Sequence, residues 1–166
     1  MGGYGAIKFS RALSAKTVIS VSPQWSIDPA DVIEFDTRYM HYFSQLEKNG
    51  ARIRKEDAGG EIFIIYDTLD KRDVTHAKRI LGTCAAVAVP APFTGHNTII
   101  QLSDTGGLID FLRMAANNTS SAATLREVIR KTRTESLMYI FTKIEFLLDR
   151  CILRQNNLFF IGKDFG

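Results

Sequence analysis

Cysteine is scarce: Cys84 and Cys151 are the only two in 166 residues. They are too few and too far apart for a disulfide framework or a zinc site. No apolar run approaches the roughly 18 residues of a membrane span, so no membrane partner is expected. Met1 is followed by glycines rather than by a basic and then an apolar stretch, so no secretory leader is legible. Charge of one sign is lacking too. The net charge of +3 is mild and does not by itself call for nucleic acid. There is no internal repeat and no low-complexity segment. These absences leave a reduced cytoplasmic protein as the expected setting, and the length fits one domain.

What is present is an alternation of strand and helix signals. Residues 6–14 read as a short helix. Thr17 to Val21 is β-branched and reads as a buried strand, ended by Ser22-Pro23-Gln24. Residues 25–57 form a polar and aromatic insert carrying Trp25, Phe35, Tyr39, Tyr42 and Phe43, with a helix expected from Phe35 to Lys48. Gly59-Gly60 then punctuates the chain. Glu61 to Tyr66 reads as a second buried strand and Asp73 to Leu81 as a helix. Ala85 to Val89 reads as a third strand, stopped by Pro90 and Pro92, and Leu108 to Ala116 as a helix. Strand alternating with helix predicts an α/β fold: a short parallel sheet with helices on both faces.

From Ser120 the pattern becomes helical only. One helix is expected to about Lys131, and another from Thr134 to about Arg154. In the second, Leu137, Ile140, Phe141, Ile144, Leu147, Leu148 and Cys151 recur at three- and four-residue spacing. Arg126, Arg130, Lys131 and Arg133 would face water or a partner, and no nucleic-acid motif accompanies them. The expected division is residues 1–118 as an α/β unit and 119–166 as a helical tail.

The first six residues, Met-Gly-Gly-Tyr-Gly-Ala, match the second half of a nucleophile elbow, G-x-S-x-G. Met1 takes the place after the serine, Gly2 is the last glycine, and Gly3 to Ala6 begin the helix behind it. Two later positions fit the same pattern. The second strand ends Tyr66-Asp67-Thr68-Leu69-Asp70, placing Asp70, with Asp67 in reserve, where a triad acid would follow. The third strand leads to His96 after Gly95. Serine, then acid, then histidine is the chain order of α/β-hydrolases. The chain therefore resembles the esterase-like branch of the α/β-hydrolase superfamily over roughly residues 1–116.

The resemblance implies a three-layer α/β-hydrolase sandwich, cut just after its nucleophile. It implies that His96 is the general base and that Asp70 orients its imidazole. It also puts Met1 at the position whose backbone N–H would serve the oxyanion. A serine hydroxyl needs such a base to become a nucleophile, and this chain has no serine in G-x-S-x-G. The implied protein is the C-terminal part of a serine hydrolase acting on ester or related acyl bonds. Its substrate would be a small acyl compound, with no cofactor and no metal. The isolated chain would be inactive and prone to self-association.

Plainer readings stand beside these. Asp67, Asp70 and Asp73 are all suited to capping the helix that follows. His76 reads as a helix-surface residue, and His41 lies in the aromatic insert with no partner at ligand spacing. Gly3-x-Gly5 as a phosphate turn lacks its third glycine and a preceding strand. A non-enzymatic interaction module, using the aromatic insert and the basic helical tail, is the alternative to a hydrolase.

Overall fold

The computed structural model describes residues 2–43 and 50–161. It is a mixed α/β fold around a three-stranded parallel sheet. The strands are β1 (Thr17–Val21), β2 (Glu61–Tyr66) and β3 (Val87–Pro90), in spatial order β1-β2-β3. Thr17 pairs with Glu61 and Val21 with Ile65; Phe63 pairs with Val87 and Tyr66 with Pro90. β2 lies in the middle, and Ile62, Phe63, Ile64 and Ile65 are each at most 2% exposed. A strand buried on both faces reads as an unbroken apolar run, and that is what makes it visible in the sequence. Each such side chain contributes about 1.5–3 kcal/mol by leaving water.

The helices are α1 (Gly2–Lys8), α2 (Pro29–Val32), α3 (Lys71–Thr83), α4 (Thr98–Asp104), α5 (Gly107–Ala116), α6 (Ala122–Glu135) and α7 (Leu137–Ile161). Successive strand residues point to opposite faces, so the sheet separates two cores. Ile62 and Ile64 pack with Tyr4 and Ile7 of α1 and with Ala77 and Ile80 of α3. Phe63, Ile65 and Val89 pack with Leu102 of α4, Phe111 of α5, and Leu125, Val128 and Ile129 of α6. The expected tail thus splits in its role. α6 belongs to the core of the sheet, whereas α7 leaves Leu137, Phe141, Leu147 and Leu148 more than half exposed or nearly so. Basic residues of α6 take partners: Arg126 donates to Ala88 O (3.2 Å), and Arg130 pairs with Glu127.

Two boundaries explain themselves chemically. α1 begins at Gly2 rather than at residue 6, and its second residue, Gly3, needs to be glycine. A Cβ on Gly3 would stand 2.4 Å from Val21 O, at the end of β1. Ser20 Oγ donates to Gly3 O (2.7 Å) and fastens the same contact. Asp70 is the N-cap of α3, its carboxylate accepting Arg72 N at 2.8 Å.

The helix expected from Phe35 to Lys48 is not found over its described part. Residues 35–39 form turns and irregular backbone, and a short 3-10 helix spans Met40–Tyr42. Asp36 is the cause: its side chain accepts Arg38 N (3.0 Å), trading helical hydrogen bonds for a local turn. Residues 44–49 lie outside the described residues. The insert is glued to α3. Arg79 stacks on Trp25 and Phe35, Arg52 also stacks on Trp25, and Trp25 Nε1 donates to Thr83 Oγ1.

Candidate functional site

The loops after β2 and β3 converge at the C-terminal ends of the strands, where open α/β sheets place their sites. Asp67 ties them together. One of its carboxylate oxygens accepts Leu69 N (2.8 Å) and the other accepts Gly95 N (2.7 Å). Thr94 Oγ1 donates to Ala91 O (2.7 Å) and exchanges a hydrogen bond with Thr98 (2.7 Å). The loop is thereby shaped so that His96 reaches back over α3.

There His96 Nδ1 lies 2.9 Å from Asp73 Oδ1. The expected partner was Asp70, with Asp67 in reserve, and neither meets the imidazole. Asp67 is spent on two backbone N–H groups. Asp70 caps α3, pairs with Arg72 at 2.9 Å and lies 3.7 Å from Arg38. The reason is helical geometry. Asp73 shares the buried face of α3 with His76, Ala77 and Ile80, whereas Asp70 precedes the helix and turns to its first N–H groups. Met1, the expected oxyanion position, lies outside the described residues.

Asp73 is itself held. Arg38 Nη2 donates to Asp73 Oδ1 (2.9 Å), and the same guanidinium grips both oxygens of Asp36 at 2.7–3.1 Å. Burial alone would raise the Asp36 carboxyl, but hydrogen bonds from Arg38 and His76 overcome it and hold it far below the usual carboxylate range. Burial likewise works against the Arg38 cation, and Asp36 and Asp73 more than compensate, raising its pKa. His76 is not on the surface. It is buried, accepting Trp25 N–H at Nδ1 (3.0 Å) and donating from Nε2 to Asp36 Oδ2 (3.0 Å). Burial lowers its pKa and favours the neutral ring.

These contacts set the tautomer of His96. Facing a carboxylate, Nδ1 carries the hydrogen, and Nε2 is left as the acceptor. Tyr39 Oη donates to it at 2.5 Å, and the Gln24 amide stands 3.4 Å away. Burial raises the Tyr39 phenol above its ordinary pKa. His96 and Tyr39 open on a cleft of about 380 Å³, walled by Gly2, Gly3, Ile19, Val21 and Ile99. The start of α1 and the imidazole therefore share one space. An imidazole so placed can accept a proton at Nε2 while Asp73 steadies the resulting cation.

Asp73, Asp36 and Arg38 were not legible as site residues, and Tyr39 was legible only as one of the insert's aromatic residues that could line a pocket. Asp73 read only as a capping residue, and nothing local marks Arg38. Among the described residues, no cluster of three or more His, Cys, Asp or Glu side chains could hold a metal ion. No described helix is long and apolar enough to cross a membrane. Comparison with protein-family models, curated proteins and solved structures finds no match.

Proposed function

We propose that the chain carries the base and the acid of a serine hydrolase acting on ester or related acyl bonds. In this reading the sheet is part of an α/β-hydrolase sandwich. His96 is the base, Asp73 is the acid that orients it, and Asp67 shapes the loop between them. The Gly2-Gly3 start of α1 takes the place where a nucleophile elbow ends. The supporting observation is the His96–Asp73 pair, opening on the same cleft as Gly2 and Gly3.

The chemistry asks three things of these residues. His96 Nε2 takes the proton of the attacking hydroxyl and returns it to the leaving group. Asp73 keeps Nδ1 protonated and stabilises the imidazolium. The apolar walls Ile19, Val21 and Ile99 accept the uncharged acyl part of the substrate. No serine of residues 1–166 lies in G-x-S-x-G, so the isolated chain is read as inactive in serine-dependent ester hydrolysis.

The coding DNA upstream of Met1 gives the first test: an in-frame extension ending in Gly-x-Ser supports the reading. The extended chain should then hydrolyse p-nitrophenyl esters. Asp73→Asn should lower its rate by roughly 10⁴-fold, as loss of the orienting carboxylate does elsewhere, and Asp70→Asn should leave most of it. A chain with no such extension, or one indifferent to Asp73, sinks the proposal.

A further inference from the structure

We propose that Tyr39 is a nucleophile in its own right, taking an acyl or phosphonyl group from activated, uncharged esters with His96 as its base. The inference rests on the His96–Asp73 pair of the reading above, but it needs no serine. Its failure and the failure of the hydrolase reading are therefore distinguishable.

The connectivity is that of an activated nucleophile. Tyr39 Oη lies 2.5 Å from His96 Nε2, and His96 Nδ1 lies 2.9 Å from Asp73 Oδ1. Nucleophile, base and orienting acid are thus in line within hydrogen-bond reach. Arg38 fixes the last member by holding the same Asp73 oxygen. The hydroxyl is also reachable. Tyr39 is half-buried, the His96 side chain is 20% exposed, and both border the cleft of about 380 Å³. Burial raises the Tyr39 phenol, so at neutral pH it does not ionise unaided and depends on a neighbouring base. The apolar walls Ile19, Val21 and Ile99 select neutral acyl groups over charged ones.

The step balances without a further reagent. Tyr39 Oη bonds to the acyl carbon or the phosphorus while its proton passes to His96 Nε2. The bond to the leaving group breaks: an ester's leaving oxygen takes the proton from Nε2, and a fluorophosphonate loses fluoride, which departs with that proton as hydrogen fluoride. The products are an O-acyl tyrosine with the released alcohol or phenol, or an O-phosphonyl tyrosine with hydrogen fluoride. Water, activated by His96 in turn, returns the acyl-tyrosine to the free phenol and a carboxylic acid.

The test uses residues 1–166 as they stand. The chain is treated with p-nitrophenyl acetate and, separately, with a fluorophosphonate, and adducts are mapped by peptide mass spectrometry. The expected result is one adduct on Tyr39, absent in Tyr39→Phe and formed roughly 10²-fold more slowly in His96→Gln. Tyr39→Phe removes only the hydroxyl, and its unfolding midpoint verifies the fold. Where His96→Gln fails to fold, Asp73→Asn takes its place with the same expectation of slowed labelling. Absence of a Tyr39 adduct while lysines or other tyrosines label overturns the proposal. So does Tyr39 labelling at an undiminished rate in the His96 or Asp73 variant, which would mark an ordinarily reactive phenol.

Discussion

Arg38 and Asp73 meet at the oxygen that also serves His96: Asp73 Oδ1 receives Arg38 Nη2 and His96 Nδ1, each at 2.9 Å. One buried carboxylate thus joins an insert between β1 and β2 to the loop after β3. Removing the guanidinium leaves Asp36 and Asp73, each with side chains 2% exposed, without their cation. Breaking a buried pair in this way costs about 3–5 kcal/mol. Arg38→Met should therefore lose stability on that scale in urea unfolding. Arg38→Lys, which keeps the charge but not the two-pronged grip, should lose less. Equal stability of Arg38→Met and the parent would remove the network from the account of the fold.

Stability should fall in two stages as pH drops. The folded pKa of His76 is depressed below its ordinary 6.5 by burial. Its contribution is complete above that value and is lost as pH falls below it toward the folded pKa. Asp36, Asp73 and Arg38 face the ring and belong to the same balance. Asp36 and Asp70 are held below their ordinary 3.8, so their contribution persists until pH falls past that value. Melting temperature against pH should show both stages. His76→Gln should abolish the upper one and leave the lower.

Glycines at the start of the chain should respond unequally. A Cβ on Gly3 meets Val21 O at 2.4 Å, while nothing lies within 4 Å of one on Gly5. Gly3→Ala should destabilise by about 1–3 kcal/mol through overpacking. Gly5→Ala should stabilise by about 0.5–1 kcal/mol, since alanine is the better helix residue. Equal effects in denaturant titrations would contradict the close approach of α1 to β1.

Self-association of residues 1–166 is expected. β1 lies at one edge of the described sheet. Its residues Thr17 to Val21 carry no charge and no proline, the usual protection of an edge. Sedimentation velocity across a concentration series should show growing species. A stable, cooperatively unfolding monomer at all concentrations would show that the edge is protected in some other way.

The strands were legible because short β-branched runs between turn residues are local signals, and all three lie within a residue or two of their expected bounds. α4 was missed. Ile99 and Ile100 are exposed while Thr98 and Gln101 are buried, so no apolar stripe marks it. The helix expected from Phe35 failed because Asp36 spends its side chain on a turn and on a buried ion pair, which local propensity cannot register. His96 was placeable as a residue in the loop after the last strand. Its partner was not. Three carboxylates follow β2 within seven residues, each suited to capping, and each takes a different fate in the structure.

By itself, then, the sequence determined the alternation of elements, the buried character of β2 and the end of the sheet where a site would form. These follow from periodicity and side-chain shape over a few residues. Only the tertiary structure decided which acid meets His96, why Arg38 stands beside it, and which hydroxyl it touches. Those contacts join residues 23, 35 and 57 positions apart. Their geometry depends on how α3, the insert and the final loop are brought together by two cores on opposite faces of one sheet.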